Sequence, residues 1–290
     1  LRWLGMRLPV ASDRAAHAVS VPAPPVWLWA ILGAGLPLAL PFAARSAASQ
    51  AGEGGLATFN YAWKLVELPL VLAIQLVASL AFPAIARALS PGGGQGAAPV
   101  RQAFALAWTL ACAAVAALAV GAPALARLLF GWGRMDAAAL EQVWRWGLAG
   151  SWGLLPQAIA AVALTVLAAR RGMRPAVAAY GAAFLLLLAA AAAGVSDGLL
   201  LMQVLNAGYT LVAVVCVVAL GREGLSWLPG ATMAWSAAGL AVVLAIRFAL
   251  PTGWRDGALL APLLAAAIAA ALPLLLTLWR SGDLRQALRR

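Results

Sequence analysis

The sequence predicts an all-α, polytopic membrane protein with about eight transmembrane helices, and three observations lead there. Hydrophobic residues make up 64% of the 290 residues and charged residues only 10%, far outside the averages of soluble domains. Several apolar runs reach about 20 residues, the length that crosses a bilayer as a helix. Alternating segments of about ten residues, the mark of a membrane β-barrel, are absent. The formal charge of +11 does not point to nucleic acid, because the basic residues lie between the apolar runs and at the chain ends, a pattern of membrane topology.

Residues 1–24 form a mixed flank with Arg2, Arg7, Asp13, Arg14 and His17, closed by prolines from Pro22. No apolar stretch followed by a small-residue cleavage site marks a signal peptide. The chain opens on Leu1 rather than Met, the pattern of a truncated or alternatively started chain. The first span is expected over 26–48, with Trp27 and Trp29 as interfacial anchors. Gly33, Gly35, Pro37 and Pro41 make it a poor continuous helix, and broken helices often line transport paths. Arg45 and Ser46 lie near its far end, before a Gly-rich turn over 50–55. The second span, 60–87, exceeds the bilayer thickness and carries Pro69 and Pro83 as kink points.

A loop rich in glycine (90–96) precedes the third span over about 102–130. The fourth, 143–169, begins Trp144-Arg145-Trp146, read as an interfacial belt with Arg145 stacked on indoles. Arg170, Arg171 and Arg174 follow it. The fifth span covers 175–194 and the sixth 199–220, with Gln203 and Asn206 as polar positions. The seventh and eighth cover 231–250 and 258–279, before an arginine-rich tail. The expected organisation is a flank (1–24), a six-helix lobe (25–220), and two additional helices with the basic tail (221–290).

The second span carries the most informative residues. Asn60, Lys64, Glu67, Gln75 and Ser79 fall within about a third of the helix circumference. A lysine at mid-bilayer costs about 2.5–3.5 kcal/mol on insertion scales, so an unpaired, lipid-facing Lys64 is disfavoured. Glu67, one turn on, is its local partner, although Glu before Lys is the better order. One reading places the stripe on a bundle interior or water-filled cavity. The other has Lys64 snorkelling to the interface in a structural pair.

Counting arginines with the N-terminus inside puts thirteen in the cytoplasm and five outside (Arg45, Arg127, Arg134, Arg247 and Arg255). The positive-inside rule therefore favours both termini on the cytoplasmic side. No enzyme constellation is visible: no phosphate-binding Gly-rich loop, no HExxH, no paired intramembrane carboxylates. Cys112 and Cys216 sit inside apolar runs with no metal-ligand spacing, and no cofactor is expected. Asp136 and Glu141 are read as a solvated helix start near Arg134, and Asp197 and Asp256 as loop residues.

The run AASQAGEGGLATFNYAWKLVELPLVLAIQLVASLAFPAIAR (47–87) resembles the MurJ/MviN lipid II flippases of the MOP superfamily. The resemblance rests on Ser49, Gln50, Gly52, Glu53, Gly54, Tyr61, Ala62, Lys64, Leu65, Glu67, Pro69, Pro83 and Arg87. The segment LLPQAIAAVALTVLAARRGMRP (154–175) is similar to the family's tenth span and its following basic loop.

The resemblance implies that the chain corresponds to family spans seven to fourteen, one MOP-type lobe plus two extra C-terminal helices. It implies a flippase that carries the lipid-linked peptidoglycan precursor, lipid II, across the cytoplasmic membrane by alternating access. In the family, two lobes enclose a cationic cavity for the head group, and the last two helices help form a groove for the lipid tail. Lys64 occupies the place of a cavity residue that is usually Arg, keeping the charge but not the bidentate fork. The candidate substrate-binding residues are Lys64, Asn60, Glu67, Gln75 and Arg45. The expected partners are lipid II, membrane lipids and an N-terminal lobe missing from this chain. Two alternatives are a flippase for another polyprenyl-pyrophosphate oligosaccharide and a non-transporting membrane scaffold for cell-wall enzymes.

Overall fold

The computed structural model describes residues 24–90, 97–132, 135–249, 259–282 and 284–285. The N-terminal flank, the loop over 91–96, Arg134, Arg255, Asp256 and the last five residues lie outside them. Every regular element among the described residues is helical. They are α1 (Pro24–Ala48), α2 (Gly55–Pro69), a π-helical segment (Leu70–Gln75), α3 (Leu76–Ala88), α4 (Ala98–Phe130), α5 (Ala137–Ser151), α6 (Leu154–Ala169), α7 (Arg174–Ala192), α8 (Gly198–Ala219), α9 (Gly221–Trp227), α10 (Gly230–Ala249) and α11 (Leu260–Arg280). Six helices are long and apolar enough to cross a membrane, counting 55–88 as one, and the bent pair α5–α6 makes a seventh. Helix α1, with 25 residues, is about 37 Å long and stands where the first of the eight expected spans was placed.

Two expectations about helix continuity reverse. The first span is an uninterrupted helix through Pro37 and Pro41. Leu40, Ala44, Ala47 and Ala48 are buried on it, and its neighbours α7 and α8 hold it along its length. The fourth span is the broken one: α5 and α6 meet at an angle of 46° around Trp152 and Gly153. Two features explain the break. Pro156 in the first turn of α6 has no N–H to give to the preceding turn. The Gly153 N–H turns back to the Gly150 carbonyl, 3.0 Å away. The Ala149 carbonyl is then taken by the Asn206 side-chain amide of α8 at 2.8 Å. Buried Gln157 donates to the Gly153 carbonyl at 3.0 Å. Glycine at 153 leaves room for this arrangement, because an added Cβ would crowd the Asn206 side-chain oxygen and displace that amide.

In the second span the π-helical segment begins directly after Pro69. The missing proline N–H breaks the regular ladder, and one wider turn re-pairs it. The α-helical winding continues through Pro83, whose carbonyl accepts from Arg87 Nε at 3.2 Å.

The last two membrane helices are fastened to α4 through a buried chain of hydroxyls. Thr109 of α4, Ser236 of α10 and Thr277 of α11 are linked by two contacts of 2.9 Å, and all three are fully buried. Thr232 and Ser281 add a 2.6 Å contact between α10 and the end of α11. The Trp108 indole donates to the Met233 carbonyl at 3.2 Å. Close approach is allowed by glycine: a Cβ on Gly121 would lie 2.5 Å from that of Ala266, and one on Gly239 only 2.7 Å from Pro273 Cα.

One end of the bundle is rich in arginine. Arg101 donates to the Ser226 carbonyl at 3.3 Å, and Arg170 pairs with Glu223 at 2.9 Å while lying 4.6 Å from the centre of the Trp227 ring. Arg280 sits over Trp279 and Trp235, at 4.2 and 5.0 Å. The expected stacking of Arg145 on its neighbouring indoles is replaced by an ion pair with Glu141 at 3.4 Å. Trp146 is buried against Phe59 and Gly198 rather than placed in an interfacial belt.

Unfolding in detergent, followed by tryptophan fluorescence, tests both interfaces. Gly239→Val is expected to lose about 1–3 kcal/mol, because the Pro273 backbone cannot yield. Asn206→Leu is expected to lose about 1–3 kcal/mol by orphaning the Ala149 carbonyl at the bend. An unchanged unfolding midpoint in either variant contradicts the corresponding account.

Candidate functional site

The inner face of α2 is seated on glycine. Gly147 and Gly150 of α5 leave room for Ala62, Leu65 and Val66, and a Cβ on Gly147 would stand 2.8 Å from Leu65 Cδ1. Two aromatic contacts lock the same face: Phe59 against Trp146, and Trp63 stacked on Tyr209 of α8 with ring centres 6.4 Å apart. With 3.6 residues per turn, burying Ala62, Leu65 and Val66 turns Tyr61, Lys64 and Leu68 to the opposite side. Those three, together with Val71, Leu72, Gln75 and Ser79, form one exposed face running into α3.

Lys64 lies about 14 Å along the helix from Gly55, near the depth of a bilayer centre if α2 starts at the interface. Its side chain is 55% exposed, and its Nζ meets Glu67 Oε2 at 2.5 Å; Glu67 is 32% exposed. Asn60 is half-buried on the edge of this face and Gln75 lies at its π-helical end. Arg45 stands apart, in the last turn of α1, with its Nε buried and without a hydrogen-bond partner. Arg45 and Glu67 both lie within electrostatic reach of the Tyr209 hydroxyl. The predicted stripe is thus one open face on α2, and Arg45 approaches the region from the neighbouring helix.

The Lys64–Glu67 pair is neutral overall, so what this face offers an anion is the remaining N–H donors of an exposed ammonium that Glu67 holds from one side. Among the described residues no group of three His, Cys, Asp or Glu side chains is placed to hold a metal ion. A second feature is an apolar groove of about 320 Å³ between α4, α10 and α11, lined by Val120, Val243, Ile246, Ala269 and Leu272 with Arg247 at its edge. Sequence reasoning assigned a tail groove to the last two helices only through resemblance. The groove depends on α4 as a third wall, which no local pattern marks.

Comparison with known proteins agrees with the geometry. No curated protein matches the chain. The family model of the lipid II flippase MurJ matches residues 14–272. That match spans most of the chain and takes in the α2 face, the bent α5–α6 pair and all but the end of α11. The chain, an all-α multi-pass membrane protein, belongs to the MurJ lipid II flippase family.

Proposed function

We propose that this chain moves lipid II from the inner to the outer leaflet of the cytoplasmic membrane, by alternating access between its lobe and a second lobe. The observation that carries this reading is Lys64: a charged side chain, more than half exposed, on a face that is otherwise largely apolar at membrane depth. Such a residue is stable in a membrane when it faces water or an anionic ligand. Lipid II brings a pyrophosphate, and moving that group through hydrocarbon unaided would be very costly. Lys64 meets the pyrophosphate, and Arg45 adds charge from α1. Asn60 and Gln75 offer hydrogen bonds above and below, while Glu67 positions the Lys64 ammonium. The apolar groove beside α10 and α11 takes the lipid tail, so head and tail travel on different parts of one lobe.

The second lobe faces α1 and the second span, whose outward surfaces carry Leu38 and Phe42 on α1, Lys64 on α2, Leu72 in the π-helical segment and Leu80 on α3. The π-helical segment after Pro69 is where the cavity helix changes its winding, a suitable hinge for a carrier that opens to alternate sides. Both termini are cytoplasmic in this reading. Arg101, Arg170, Arg174 and Arg280 share one end of the bundle, as a cytoplasmic face requires.

Expression in bacteria depleted of their own lipid II flippase, with and without a separately encoded N-terminal lobe, tests the function. Survival and outer-leaflet lipid II are expected with the second lobe, to be lost in Lys64→Ala and kept in Lys64→Arg. Rescue by the chain alone would overturn the two-lobe scheme in favour of a homodimer. Failure of an inserted protein in both settings would remove lipid II as its substrate. For orientation, a cysteine replacing Ser90 is expected to react with an impermeant maleimide only from the cytoplasmic side, and one replacing Ser196 only from outside. The native cysteines Cys112 and Cys216 are buried and should contribute little labelling.

A further inference from the structure

A pocket of about 500 Å³ opens at the end of the bundle opposite the arginine-rich one, where α2 begins and α4 passes to α5. It lies next to the Lys64 face: Tyr61, one turn before Lys64 on the exposed side of α2, forms part of its wall. The Tyr61 ring packs against Phe130 of α4, centres 4.8 Å apart and planes tilted by 54°. Asp136 lines the same space. One of its carboxylate oxygens caps α5, accepting the Ala139 N–H at 2.7 Å, and a carboxylate has a second oxygen to offer. Gly54, Ala57 and Ala139 leave room on one side, and Thr58, Leu129 and Met135 complete the lining.

A carboxylate in a largely apolar pocket that also holds two aromatic rings is suited to an organic cation. The carboxylate supplies charge and an acceptor, and the ring faces attract an ammonium through their quadrupoles. A hard metal ion would want several oxygen ligands, and this lining is mostly apolar. Among the described residues this end of the bundle carries Glu53, Asp136, Glu141 and Asp197 together with Arg45, Arg127 and Arg145, and Glu141 is paired with Arg145, so the preference for a cation comes from the pocket itself and not from the charge of its surroundings.

We propose that the pocket formed by Tyr61, Phe130 and Asp136 binds a primary ammonium group, and that its ligand is the amine on the peptide portion of the lipid-linked head group. The choice of ligand rests on the transport reading above; the pocket's preference for an ammonium does not. Pyrophosphate on Lys64 and peptide amine at Asp136 would then orient the head group along α2, with the amine toward the outer end.

The test uses the purified chain in nanodiscs and two pairs of probes. One pair is lipid II with lysine in its peptide and the same lipid with the lysine amine acetylated. The other is the free lysine-bearing pentapeptide and its acetylated form. Wild-type protein is expected to bind each amine form about tenfold more tightly than its acetylated counterpart. Asp136→Asn keeps the helix cap, since Asn caps as well as Asp, and should bring both ratios close to one with an unchanged melting temperature. Tyr61→Phe should keep the preference and Tyr61→Ala should reduce it. A wild-type ratio near one for both pairs, a ratio that survives Asp136→Asn, or no binding of any probe overturns the proposal. If the free peptide shows the Asp136-dependent preference but lipid II does not bind, the pocket stands and the lipid II reading falls. If lipid II binds and neither pair shows a preference for the amine, the reading stands and the pocket falls; if lipid II binds and only the free peptide shows the preference, the assignment of the pocket to the lipid II amine falls.

Discussion

A lipid environment offers a broken backbone no hydrogen-bond partner, so each irregularity in a membrane helix has to be answered from inside the protein. That constraint organises this bundle. At the bend between α5 and α6, the Ala149 carbonyl loses its helical donor and Asn206 of α8 supplies another. A side chain at position 153 would displace the same asparagine, so the break and its repair are one arrangement seen from two helices. After Pro69 the answer is local: six residues take π-helical winding. In α1, by contrast, two prolines leave the helix uninterrupted.

The bent helix also sets the position of the charged face. Its first half, α5, carries Gly147 and Gly150, and these let α2 approach until Leu65 and Val66 are fully enclosed. Burying that side of α2 leaves Lys64 on the opposite side by helical geometry alone. The exposure of the cation is therefore a consequence of close glycine packing behind it. Larger residues at those positions would push α2 outward and tilt the whole face.

Two kinds of joint coexist in the molecule. The joint among α4, α10 and α11 is stiff, with buried hydroxyls linked in series and glycines that bring backbones into contact with neighbouring side chains and backbone. Interhelical hydrogen bonds in membranes average only about 0.6 kcal/mol each, so the rigidity comes from their combination with close packing. The second span holds the softer joint, a π-helical turn on the exposed face below Lys64. A carrier needs both: a firm platform for the apolar groove and a helix that can change shape beside the charge.

The class of the protein was legible from composition, because a chain that is 64% hydrophobic cannot be a soluble domain and every spanning backbone must satisfy itself in helices. The pairing of Lys64 with Glu67 was legible too, since residues one turn apart on a helix are neighbours whatever the fold. So was the helix start at Asp136, whose carboxylate accepts a backbone N–H three residues on, whereas Asp197, expected to be a loop residue, caps α8 in the same way. The irregularity after Pro69 was legible from the proline, but the break between α5 and α6 was not. Proline and glycine counts pointed to α1, but continuity depends on which neighbours stand beside each orphaned carbonyl. Arg45, Tyr209 and the Tyr61–Phe130–Asp136 pocket likewise join residues from separate helices. Periodicity along one chain segment fixes which side of a helix is polar; only the packing of distant helices decides what that side meets.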